Sequence, residues 1–211
     1  MKPIQYLAGL FGATLFALSG QASAAVIDFN SLATSTTSPI VTVNQPYVED
    51  GFKLTTRSGV SFTYGGGTIY ATTDKNANWT GSPGVYSGTV TNYGSAFLLE
   101  RVDGGIFDLV SMDAASFWTG GAGNDFNVYG YRPDGTFVHQ NFTLDSSTNT
   151  LQTLLFNNGF KGLNSILFSS LYAQVDNINL SVSAVPLPPS LFLMLPGLGL
   201  MGFMRRRVKN A

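Results

Sequence analysis

The chain has 211 residues, no cysteine, one histidine and a formal net charge of −1, a length suited to a single folded domain. The lack of cysteine rules out disulfides and thiolate chemistry, and one histidine leaves a zinc site without its preferred donors. Between residues 25 and 184, six basic side chains stand against twelve acidic ones, a balance of −6, and this excludes the basic footprint that nucleic-acid binding requires.

Residues 1–24 follow the plan of a secretory signal peptide. Lys2 gives the positive start, Tyr6 to Leu18 is apolar and uncharged, and Ala22-Ser23-Ala24 supplies the small residues that signal peptidase needs. The expectation is export, with a mature body beginning at Ala25.

From Val26 to Val182 the pattern is β throughout: short runs of Val, Ile, Thr, Phe and Tyr separated by Gly, Asn, Asp and Ser. Strands are predicted over 26–29, 52–56, 60–64, 68–71, 96–101 and 106–114. The clearest hairpin follows, 125–131 and 136–144 joined by Pro133-Asp134-Gly135. Further strands are predicted over 152–156, 163–169 and 174–182. Ten to twelve short strands, no amphipathic helix and no repeat of fixed period predict an all-β, antiparallel sandwich of the jelly-roll kind over residues 25–184.

Nucleophilic catalysis lacks its parts. There is no Gly-x-Ser-x-Gly elbow, and His139 reads as an ordinary strand residue on one sheet face. A glycosidase needs two carboxyl groups flanking the bond, yet most acids here sit beside Gly or Asn in turns. Calcium takes six to eight oxygen ligands, which an acidic, histidine-poor domain can supply. In a jelly roll the first and last strands commonly lie side by side. Asp28 then meets Asp176 and Asn177, with Glu49 and Asp50 as additional ligands to a structural calcium. Trp79 and Trp118 fall in loops rich in Asn, Ser and Gly, where an indole can stack on a sugar ring or fill the core.

Beyond Val182 the character changes. Val185-Pro186-Leu187-Pro188-Pro189 leads into an uncharged apolar run ending at Met204, then Arg205, Arg206, Arg207 and Lys209. The run from Leu187 to Met204 is about 27 Å long as a helix, just short of a ~30 Å hydrocarbon core. The basic cluster is expected to stay cytoplasmic, with the body on the far side of the inner membrane.

A proline motif, an apolar glycine-bearing helix and an arginine cluster, in that order, resemble the PEP-CTERM sorting signal of Gram-negative bacteria, in its VPLPA-type variant. Pro189 stands where that variant usually carries Ala, and there is no Pro-Glu-Pro. The resemblance covers residues 184–209. It implies processing of the 185–211 tail by an exosortase-type membrane protease and association with exopolysaccharide or biofilm matrix. The body, through 26–32, 47–52, 105–113 and 175–178, resembles the jelly-roll ectodomains found with such tails, which are similar in plan to carbohydrate-binding jelly rolls.

The sequence therefore predicts an exported, non-catalytic protein of the cell surface or matrix, without nucleic-acid partners. Its alternatives are a carbohydrate-binding module using Trp79 or Trp118, and a secreted glycoside hydrolase or lyase.

Overall fold

The computed structural model describes residues 23–32, 37–57, 67–88, 96–117, 125–169 and 173–182. The predicted signal peptide up to Ala22, the strand predicted over 60–64, Trp118 and the predicted sorting tail with Val185 to Pro188 and Arg205 to Arg207 lie outside these residues. Among the described residues no helix is long and apolar enough to cross a membrane.

Thirteen strands occur among the described residues. They are β1 (Ser23–Ile27), β2 (Ile40–Val43), β3 (Tyr47–Glu49), β4 (Phe52–Arg57), β5 (Thr68–Thr72), β6 (Val85–Gly88) and β7 (Ala96–Arg101). Then come β8 (Asp108–Ser116), β9 (Asp125–Tyr131), β10 (Phe137–Thr143), β11 (Gln152–Leu155), β12 (Ser165–Ser169) and β13 (Ala173–Val182). All pairings are antiparallel and build two sheets. One has seven strands in the order β11-β8-β13-β6-β5-β2, with β1 also beside β13; the other has six, in the order β10-β9-β12-β7-β4-β3.

The sheets face each other across one apolar core. From the six-stranded sheet come Phe52, Leu54, Phe97, Leu99, Phe126, Val128, Ile166 and Phe168. From the seven-stranded sheet come Ile27, Ile69, Val85, Leu109, Met112, Val175, Ile178 and Leu180. Each fully buried side chain of this size contributes about 1.5–3 kcal/mol of transfer free energy. Phe107, fully buried just before β8, meets the Phe52 ring edge-on at 5.2 Å and 89°, a geometry that the ring quadrupoles favour.

The β9–β10 hairpin forms as predicted, from Phe137 opposite Tyr131 to Thr143 opposite Asp125. Its turn is closed by Arg132 N–H donating to the Thr136 carbonyl at 2.9 Å. The Asp134 carboxylate accepts from Thr136 N–H at 2.9 Å, and Gly135 takes φ of 82°, open only at small cost to a residue without Cβ.

β1 starts three residues earlier than predicted and ends two earlier. It starts at Ser23 and ends at Ile27, because Phe29 turns into the left-handed region at φ 53°. Ser23 and Ala24 pair with Val182 and Ser181, so the expected mature start at Ala25 falls within this strand. β2, β3 and β6 are not predicted by the sequence. They are three or four residues long and lie among Pro39, Pro46 and Pro83, residues that interrupt strand patterns.

Candidate functional site

In β9 and β10 the alternation of the pleat sends Phe126 and Val128 into the core. It turns Asn127, Tyr129, Tyr131, Phe137, His139 and Asn141 to the opposite face. The register across the six-stranded sheet sets these residues in rows. Phe137, Tyr131, Ser165, Glu100 and Lys53 lie along one row, and His139, Tyr129, Leu167, Leu98 and Thr55 along the next. Ala96, Leu98 and Leu167 form a small apolar floor on this outward face, and the Tyr129 and Tyr131 rings pack against it.

Four rings gather there. Tyr129 stacks on His139 at 4.3 Å and 14°, and Phe137 lies 6.4 Å from Tyr129 and 6.1 Å from Tyr131. His139 Nε2 donates to Asn127 Oδ1 at 2.8 Å, and Asn141 Nδ2 donates to the same oxygen at 3.0 Å. These bonds fix the imidazole plane parallel to the Tyr129 ring. Phe137 is 61% exposed and adjoins the Tyr129 and Tyr131 rings, so its apolar surface belongs to a contiguous patch, the kind that marks interaction sites. Burial raises the Tyr131 hydroxyl above its usual range, so it stays a neutral donor and acceptor at ordinary pH. The result is a platform of aromatic faces bordered by amides and hydroxyls.

The acids collect away from this platform, around the end of β1, β3 and β13. Asp28 and Glu49 are close enough for their carboxyl groups to share a hydrogen bond. The Asn30 N–H, at 2.9 Å, holds Asp28 below the usual carboxylate range, whereas burial pushes Glu49 up. Glu49 Oε2 accepts from the Phe29 N–H at 3.1 Å and from the Tyr47 hydroxyl at 2.9 Å. On β13, Asp176 is fully buried and is the Cα partner of Asp113. Burial pushes its carboxyl up to about 6, and Asp113 and Asp28 push in the same direction. It accepts from the Ser82 hydroxyl and from the Asn177 N–H at 2.8 Å. Asn177 sits at φ 46°, where β13 shifts register against β8, and its amide donates to Asp113 at 2.9 Å.

Of the residues predicted to hold calcium, Asp28 and Glu49 are together, Asp176 lies within electrostatic reach of Asp28, and the Asn177 amide turns to Asp113. Asp50 stands in the exposed β3–β4 turn at φ 46°. Among the described residues no group of three or more His, Cys, Asp or Glu side chains is placed to hold a metal. Backbone carbonyls and Asn177 would have to complete a calcium shell, which that ion accepts.

Trp79 is half-buried in the β5–β6 loop. That loop is pinned to β13 through Gln174, whose amide donates to the Asn78 carbonyl at 2.7 Å. Beside it Tyr70, Tyr86 and Phe117 stack successively at 5.6 and 4.1 Å. The platform on β9 and β10 was not singled out from the sequence. Its signal was present in the alternation of Tyr129, Tyr131, Phe137 and His139 with core residues.

No family model matches the chain, and no curated protein matches it. Among solved structures it is similar to a mutant of CBM29-2, studied for ligand recognition by family 29 carbohydrate-binding modules. That likeness has a TM-score of 0.40 and 13% identity, over 77% of this chain and 85% of the other. It is also similar to the enzymatically active domain of tailspike protein 4 of bacteriophage CBA120, with a TM-score of 0.25 and 9% identity, over 74% of this chain and 20% of the other. At these TM-scores the likeness extends to neither ligand nor activity.

Proposed function

We propose that this chain is an exported, non-catalytic β-sandwich of jelly-roll plan that holds polysaccharide on the outward face of its six-stranded sheet. The observation that carries this reading is the exposed cluster of Tyr129, Tyr131, Phe137 and His139 with Asn127 and Asn141 beside it. Flat aromatic faces suit the C–H faces of pyranose rings, and amides and phenols suit their hydroxyls. The rings stand on paired strands, so the surface is formed before the ligand arrives, which lowers the ordering cost of binding.

The two ends of the sequence support delivery to a polysaccharide-rich surface. The signal peptide directs the chain out, and the 185–211 tail resembles one cut by an exosortase-type protease at the inner membrane. A structural calcium belongs to the same proposal: it would sit on the Asp28 and Glu49 carboxylates and draw in Asp176, whose charge already acts on Asp28, in a domain that has no disulfide.

Affinity electrophoresis of the purified protein through gels containing different polysaccharides tests the platform. Tyr129→Ala and Phe137→Ala should each weaken retention by about tenfold, the size of a typical hot-spot truncation. Equal retention of wild type and the double variant would sink the proposal. Mass spectrometry of the mature protein tests the sorting reading, and a C-terminus still at Ala211 would count against it.

A further inference from the structure

The platform has a charged side, and it points to the class of polysaccharide held there. Six basic side chains lie in the described residues. Four are engaged: Lys53 with Glu100 at 3.2 Å, Lys75 with Asp74 at 2.8 Å, Arg101 with Asp103, and Arg132 with the Gly159 carbonyl. Among the described residues the side chains of Arg57 and Lys161 make no ion pair or hydrogen bond. Arg57 is exposed at the end of β4, where it is the Cα partner of Ala96.

That position puts Arg57 on the platform's own face. Ala96, its neighbour, is part of the apolar floor against which Tyr129 and Tyr131 pack. Tyr129 and Tyr131 stand on β9, three strands and about 14 Å to the side of β4, and the guanidinium charge still works against the rise of the Tyr131 hydroxyl. Glu100, the acid on β7, is four residues along the strand from Ala96, about 13 Å away, and is already held by Lys53. Asp125 lies three strands away, about 14 Å laterally. A solvated guanidinium on the same face as the rings but three strands from them suits the planar carboxylate of another sugar unit along the same chain, which arginine binds in a two-pronged fashion.

Resting on the platform reading above, we infer that the polysaccharide held here is acidic, a uronic-acid polymer whose carboxylate is taken by Arg57 while its rings lie on Tyr129 and Tyr131. The body's balance of −6 repels polyanions in general, so a preference for an acidic chain has to come from a local cation such as this one.

The test is affinity electrophoresis and calorimetry with polygalacturonate, alginate and hyaluronate, each beside its carboxyl-reduced counterpart. Wild type should bind at least one acidic polymer about tenfold more tightly than its reduced form. That difference should shrink in about 0.5 M salt, where screening is strong. Arg57→Gln should lose the acid preference and keep the affinity for the reduced polymer, with Arg57→Lys partly restoring the preference. Tyr131→Ala should weaken binding to both forms. If wild type binds the reduced polymers as tightly as the acidic ones, or Arg57→Gln keeps the preference, the inference falls while the platform stands. If wild type binds no polymer in either form, the platform reading falls, and this inference with it.

Discussion

Replacing Asp176 with Asn asks whether the buried acids burden the fold unless a cation offsets them. Burial pushes the Asp176 carboxyl from 3.8 up to about 6, and neighbouring Asp113 and Asp28 add to the rise. A carboxyl whose pKa is higher in the folded than in the unfolded chain favours the fold when protonated. Its contribution is complete below about pH 4 and is lost as pH rises through about 6. The gap of about two units corresponds to roughly 3 kcal/mol, or about 6–12 °C in Tm for a domain of this size. Glu49, also raised, acts with the same sign. Asp28, Asp103 and Asp134 are lowered, so their contributions are lost only as pH falls below the ordinary Asp range.

The assay is urea unfolding in chelator between about pH 4 and pH 8. Wild type should lose stability as pH rises. Asp176→Asn should be flatter, and more stable than wild type at the alkaline end by up to about 3 kcal/mol. Adding calcium should restore wild type and leave the variant unchanged. A wild type equally stable at both ends in chelator, or a variant less stable than wild type at about pH 8, would refute the reasoning. A calcium response of equal size in both proteins would remove Asp176 from the ligand set.

Other consequences are more local. Phe107→Ala should cost about 3–5 kcal/mol in denaturant unfolding, because it empties a fully buried site and removes the ring that meets Phe52 edge-on; a loss below 1 kcal/mol, on the order of a surface change, would contradict this. Gly130→Ala would bring a Cβ within 2.8 Å of Leu163 Cδ1 and 3.0 Å of Val138 Cγ1, so a loss of about 1–3 kcal/mol is expected, and an unchanged midpoint would show that Leu163 moves freely. Phe137→Ser, at a side chain 61% exposed, should change stability by no more than about 0.5 kcal/mol while reducing polysaccharide retention, and thermal melts run beside the binding gels separate the two effects.

The architecture was legible in the sequence wherever strands alternate cleanly, as in the β9–β10 hairpin, where turn chemistry and pattern agree. It was less legible at β2, β3 and β6, which have only three or four residues each and begin within two residues of Pro39, Pro46 and Pro83, so too little of the strand pattern shows in any of them. β7 shows another limit: Ala96 to Leu99 is apolar on both faces, so no alternation marks which side meets the core. The acid cluster was readable in outline, because β1 and β13 are neighbours and bring Asp28 toward Asp176. Asp113 was not, since only the β8–β13 register sets it opposite Asp176. The platform was overlooked because loop tryptophans drew the attention that belonged to tyrosines on the solvent face of a strand.

The pairing of β1 with β13 has a mechanical consequence. Ser23, where β1 begins, is the Cα partner of Val182, where β13 ends, so the chain enters and leaves the sandwich at the same corner. Tension between the two ends would load that ladder as a zipper, one bond at a time, rather than shearing all its bonds together. Pulled by one end alone, through a tether, the sandwich hangs like a bead from a single point and its two sheets carry no load between separate anchors. Adjacent ends of this kind are also the ones that tolerate circular permutation or insertion into a host loop, so the body can be moved between proteins as a unit.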